Sequence, residues 1–106
     1  MKRLVLTEIA RADLARIRRY STRTWGGDQT DKYMGDLRET MKGLVRGTVV
    51  TRARDDLRPA VQMATSGSHS IFFEADESRI LVVRVLHQSM DYRRHLEPAV
   101  APDEVD

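Results

Sequence analysis

Residues 57–96 read LRPAVQMATSGSHSIFFEADESRILVVRVLHQSMDYRRHL, and this stretch decides the fold. Within it, Arg79–His87 (RILVVRVLH) is rich in the β-branched and large apolar residues that suit a pleated surface. The turn formers Asp76-Glu77-Ser78 separate it from a second strand, His69–Ala75. Ser66-Gly67-Ser68 then separates that strand from an alternating run, Val61–Thr65. Links this short join only antiparallel neighbours, so the three strands form a meander.

Simple alternation along the last strand sends Leu81, Val83, Val85 and His87 to one face and Ile80, Val82, Arg84 and Leu86 to the other. Both faces are apolar, and a strand of that kind is covered on both sides. Arg84 stands alone among apolar residues, where a charge is costly unless paired. It either meets an acid of this chain or anchors a partner's carboxylate or a nucleic-acid phosphate.

The N-terminal half supplies one cover. Leu4-Val5-Leu6 reads as an opening strand, Thr7 as a helix N-cap, and Glu8 as the acid favoured in a first turn. Ala10, Leu14, Ile17 and Ser21 recur at helical spacing to Thr24, with Ile9, Tyr20 and Trp25 widening the stripe and Arg and Asp expected on the far side. Gly26-Gly27 ends this helix, and Asp28, with Asp31 three residues on, is the expected cap of the next. Tyr33, Leu37, Met41 and Leu44 continue the second stripe to Arg46-Gly47. Two helices so closely joined form an antiparallel hairpin. Thr48–Arg58 reads as a connection, and Met90–Leu96 as a helical turn or two. The expected fold is α+β, with a strand, a helical hairpin on one face of a small antiparallel sheet, and a short C-terminal helical turn. The second sheet face is left for the C-terminal segment or for another protein chain.

The 106 residues suit one domain, placed at 1–97, followed by a loosely ordered acidic tail at 98–106. A 41% hydrophobic and 32% charged composition is that of a soluble globular chain. No apolar run reaches the roughly 20 residues of a membrane span. The N-terminus is too quickly interrupted by Glu8, Arg11 and Asp13 for a signal peptide. The absence of cysteine suits a cytoplasmic location and excludes thiolate metal sites. Up to Arg58 there are 14 Lys/Arg against 8 Asp/Glu, and from Pro59 onward 4 against 8. The basic half could meet an acidic surface, though Arg16, Arg18, Arg19 and Arg23 equally fit a solvated helix face.

No phosphate loop, dinucleotide fingerprint, zinc-protease or nucleophile-elbow motif is present. His69, His87 and His95 have no metal-site spacing, so neither a metal nor a cofactor is expected. RNA cleavage would need a base, cations and an acid. Arg58, Arg84, His87, Tyr92, Arg93 and His95 have the right side-chain types for it.

Several motifs together carry a family resemblance. They are Trp25-Gly26 between two helices, L-R-P at Leu57–Pro59, G-x-H-x-I-F-F at Gly67–Phe73, and I-x-V-x-R-V-L-H-x-x-M-D-x-x-R-H-L at Ile80–Leu96. In these the chain resembles the ParE toxins of the RelE/ParE superfamily from about Leu4 to Leu96. The resemblance implies a strand, a helical hairpin and a meander in one antiparallel sheet. It implies the toxin of a type II toxin–antitoxin module that poisons DNA gyrase without catalytic residues of its own. A ParD-like antitoxin would neutralise it by binding across the helix–sheet groove. The implied contact positions are Leu14, Ile17, Arg58, Ile80, Val82, Arg84, Leu86, Met90 and Arg94. Neither a membrane nor specific nucleic-acid binding is expected. The alternatives are a RelE-like ribosome-dependent mRNA endoribonuclease using Arg58, Arg84 and His87, or an inactive antitoxin-binding member. Ala60-Val61-Gln62 stand where the family often has a glycine and a further basic residue, which weighs against a phosphate site.

Overall fold

The computed structural model describes residues 2–96; Met1 and residues 97–106, with the expected acidic tail, lie outside the described residues. The order is β1 (Arg3–Leu6), α1 (Glu8–Trp25), α2 (Gly27–Arg46), β2 (Arg52–Ala53), β3 (Gln62–Ser66), β4 (His69–Ala75), β5 (Arg79–His87) and α3 (Tyr92–Leu96). The strands form one sheet in the order β1-β5-β4-β3-β2. Strands β2 to β5 pair antiparallel, whereas β1 runs parallel to β5. The wholly antiparallel sheet implied by the resemblance is therefore corrected at β1. That strand reaches β5 by a crossover through the helices rather than by a turn.

Thr7 caps α1 as its sequence position requires, its hydroxyl accepting from Ala10 N–H at 3.0 Å. The hairpin is tighter than expected. Gly26, at φ 90°, ends α1 and begins α2, and α2 has no side-chain cap. Asp28 lies inside the first turn of α2, and Asp31 pairs with Arg18 at 3.2 Å instead of completing a capping box. The connection Thr48–Arg58 contains the short strand β2, paired with β3 through Arg52–Met63 and Ala53–Gln62.

Two cores sandwich the sheet. Ala10, Ile17, Met34, Leu37, Met41 and Leu44 of the hairpin pack on Ala64, Ile71, Phe73, Ile80, Val82 and Val85. On the other face, Leu57, Val61 and Leu96 close over Phe72, Val83 and Leu86, with Tyr92 alongside. The second face is thus covered by α3 and the segment before β3, the first of the two covers expected. The regular alternation of β5 is also corrected. The pairs Phe72–Arg84 and Phe73–Val82 leave Val83 as an extra residue, a β-bulge that shifts the phase of the strand. Ile80 and Val82 consequently face the helices with Val85, while Leu86 faces the second core with Val83.

The loop before β3 places Ala60 at φ 67°, a left-handed conformation that costs an L-residue about 1–2 kcal/mol. This explains why a glycine suits the position. Ala60→Gly should stabilise the fold by about 0.5–1 kcal/mol in urea unfolding, after the extra chain entropy of glycine is set against the relieved strain.

Candidate functional site

The site starts where β1 stops. Its pairing with β5 ends at Leu6–Val82, and Thr7 then bonds to Val82 O through its N–H and to Val83 O through its hydroxyl, both at 3.0 Å. From there the chain turns into α1. The remainder of β5 has no strand neighbour on that side among the described residues.

Asp13 takes that place. Its Oδ2 accepts from Val85 N–H at 2.9 Å and from Arg84 Nε at 2.9 Å, and its Oδ1 accepts from Arg84 NH2 at 3.0 Å. Arg16 approaches the same Oδ1 at 3.5 Å. Asp13 is buried and Arg84 nearly so. Arg84 also donates from NH1 to His95 O at 3.3 Å. A carboxylate of α1 thus caps the sheet edge and holds the segment after β5. The bulge at Val83 puts Arg84 within reach. Asp13 was expected on the far side of α1, and this is corrected. It lies three residues after Ala10 and four before Ile17, within the buried stripe, and that spacing was the available signal.

Between α1 and the open half of β5 runs a groove of about 730 Å³. Ile17, Tyr20 and Trp25 form its helical wall, Val85 and His87 line the strand side, and Met90 and His95 close the opposite rim. Tyr20 and Trp25 stack edge to face at 6.1 Å yet remain 56% and 50% exposed. These are two of the large apolar side chains that the described fold leaves exposed, and both border the groove.

His69 and His87 pair across β4 and β5 with rings 5.2 Å apart. Tyr33 Oη lies 2.5 Å from His69 Nδ1 and accepts from Ser68 N–H at 3.1 Å. The same hydroxyl lies 3.2 Å from Ser68 Oγ and 3.4 Å from Ser66 O, so Tyr33 ties α2 to the β3–β4 turn. Burial, with His87 beside it, lowers His69 to about 4, so the ring is neutral at neutral pH. Gly67, at φ 57° in the hairpin turn, lets Tyr33 in; a Cβ there would lie 2.7 Å from its ring. His87 Nδ1 accepts from Ser89 N–H at 3.1 Å.

The side chains considered for RNA cleavage divide between two places. Arg84, His87 and His95 line the groove. Arg58 pairs with Glu74 at 3.0 Å, beside Leu57 of the second core. Tyr92 packs on Phe72 and bonds to Ser70, and Arg93 donates to Asp56 O, all on that opposite face. Of the expected contact positions, Ile17, Arg84, Leu86 and Met90 line the groove, although the Leu86 side chain belongs to the second core. Leu14 is half-buried against the first core and Arg94 is exposed. Ile80 and Val82 are 3% and 0% exposed and are consumed by the chain's own core, which corrects their reading as a docking face. Tyr20 and Trp25, read as part of the helix stripe, are the large exposed groove residues that the contact positions missed. Among the described residues no His, Asp or Glu cluster could hold a metal, and no helix is long and apolar enough to cross a membrane.

Residues 4–92 match the family described as the ParE toxin of the type II toxin–antitoxin system parDE. Toxin ParE1 of Mycobacterium tuberculosis is 36% identical over 95 residues, covering 89% of this chain and 97% of the relative. Toxin ParE1 of Caulobacter vibrioides is 35% identical over 96 residues, covering 91% and 99%. Toxin ParE of Escherichia coli is 36% identical over 98 residues, covering 91% and 94%. Among solved structures, the chromosomal ParDE system of P. aeruginosa superposes with a TM-score of 0.69 at 25% identity, covering 82% of this chain and 96% of that one. A YafQ variant of Escherichia coli shares the fold, with a TM-score of 0.60 at 9% identity over 84% and 96%.

Asp13→Ala should cost about 3–5 kcal/mol in urea unfolding, because it strands a buried guanidinium. Asp13→Leu combined with Arg84→Met should cost clearly less than the sum of the two single changes, since neither charge is then orphaned. His69 gives a pH signature. Its folded-state value of about 4 lies below the ordinary 6.5, so its contribution is intact above 6.5 and is lost as pH falls from 6.5 toward 4. The Tm difference between the wild-type protein and His69→Gln should narrow between pH 7 and pH 4.5.

Proposed function

The chain belongs to the ParE toxin family of type II toxin–antitoxin systems, and on that premise we propose that it inhibits DNA gyrase by binding it. A ParD-like antitoxin neutralises it by seating a segment in the groove between α1 and β5. The observation that carries this reading is the groove itself. It is an apolar trough with half-exposed Tyr20 and Trp25 on one rim and Met90 on the other, beside an open stretch of sheet edge. Aromatic anchors in such a trough are the usual hot spots of protein recognition. A solved ParDE system with the same fold supports a protein partner for this chain as well.

The protein acts as a binder rather than as a catalyst in this reading. General acid–base cleavage needs free, converging groups. Here His69 is engaged by Tyr33, His87 by Ser89, and Arg58 by Glu74. Arg84 is neutralised by Asp13. The reading also has the protein working in the cytoplasm, where gyrase and its DNA are.

Induced expression should produce filamentation, a DNA-damage response and loss of gyrase supercoiling in a purified assay. Rapid translation arrest with codon-positioned mRNA cuts would instead favour the RelE-like endoribonuclease and sink this reading. Trp25→Ala should weaken the antitoxin complex by about 30-fold or more, the scale of a hot spot of about 2 kcal/mol. The urea midpoint should barely move, because Trp25 is half exposed.

A further inference from the structure

The sequence runs on for ten residues after Leu96: Glu97, Pro98, Ala99, Val100, Ala101, Pro102, Asp103, Glu104, Val105 and Asp106. Four are acids, none is Lys or Arg, and all lie beyond the family match that ends at residue 92. Their starting point is fixed. Leu96 is 1% exposed in the second core, and the carbonyl of His95, a groove-lining residue, is held by Arg84 at 3.3 Å. The last described residue, Leu96, is thus next to the groove-lining His95.

The groove rim has the opposite charge. Arg16 lines it, and Arg19 and Arg23 follow three and seven residues later on the exposed side of α1. Neither Arg19 nor Arg23 pairs with an acid among the described residues. Ten residues can span about 33 Å when extended, whereas α1 from Asp13 to Trp25 advances only about 18 Å. Pro98 and Pro102 disfavour a helix and leave an extended segment able to follow the trough.

We propose that the acidic segment Glu97–Asp106 lies along the α1–β5 groove of its own chain, its acids on the Arg16, Arg19 and Arg23 rim and Val100 or Val105 against the apolar wall. Tethering gives the segment an effective concentration in the millimolar range, so weak contacts are enough to occupy the groove. Surface ion pairs of this kind are screened by salt, which makes the occupant exchangeable. Resting on the reading of the groove as the antitoxin's seat, the consequence is competition, with the antitoxin having to displace the segment.

The absence of cysteine makes the test direct, because a spin label at Val105→Cys marks one site on the full-length chain. Docking predicts paramagnetic broadening of the Trp25 indole and of the His87 and Met90 amides. The broadening should disappear in about 1 M salt, where the Debye length is about 3 Å. It should also disappear when Glu97, Asp103, Glu104 and Asp106 are changed together to their amides. No broadening, or broadening on the outer face of α2, would overturn the proposal. So would broadening seen only on unlabelled, isotope-enriched chains mixed with labelled ones, which would make the occupant a second copy's tail. Removing residues 97–106 should then tighten ParD-like peptide binding by about two- to tenfold, the reciprocal of the open fraction. Groove broadening without that gain leaves the docking standing and removes the antitoxin reading of the groove, so the two failures are distinct.

Discussion

One buried carboxylate holds the architecture together. Asp13 serves three donors at once: Nε and one terminal nitrogen of Arg84, and the backbone N–H of Val85. An unpaired Arg84 on the sheet would be a severe liability, and an unpaired Asp13 inside α1 would be another. Bidentate geometry and a third hydrogen bond to the backbone satisfy both. The pair also fixes where α1 lies on the sheet, since the helix is pinned to β5 on the side that β1 leaves after Val82. An apolar pair could fill the same volume, so the ion pair is better understood as a device for position than as a large net source of stability.

The groove follows from that pin. Because β1 gives way to α1 at Thr7, the outer half of β5 keeps an open side. Asp13 caps one backbone donor there and leaves the trough beyond it, between Ile17, Tyr20 and Trp25 and the far rim at Met90. The histidines sit on the strand side of this trough for structural reasons. His69 is held neutral by burial, with His87 beside it, and its contact with Tyr33 staples α2 to the β3–β4 hairpin at Gly67, where a side chain would collide with the ring.

Much of this was legible in the sequence, and the failures have physical causes. His69–Ala75 and Arg79–His87 appear at their predicted bounds because turn formers flank strongly β-forming runs. The helical stripes likewise read directly from their spacing. The two-residue β2 did not, since its pairing exists only against β3 and its own residues are exposed. Gly26 alone turns the hairpin because a residue at φ 90° both ends one helix and starts the next, a tighter solution than the Asp28 cap. The bulge at Val83 is invisible to a period-two pattern, and it moved Ile80 and Val82 from the expected docking face into the core. Asp13 was misplaced because a carboxylate is normally outside a helix; only its partner, far along the chain, makes it an inside residue. Ile17, Met90 and Arg84 were anticipated at the site, whereas Tyr20 and Trp25 were credited to packing.

The separation of the pinning pair in sequence has a consequence for synthesis. Asp13 and Arg84 are 71 residues apart, and Thr7 and Val83 are 76 apart. Contacts of such span are late and slow to form. A ribosome making this protein therefore carries, for most of each round, a helical hairpin with no last strand to lie on. The trough comes into being only when β5 and the segment after it have emerged, so the surface proposed for the partner is among the last parts of the described fold to form.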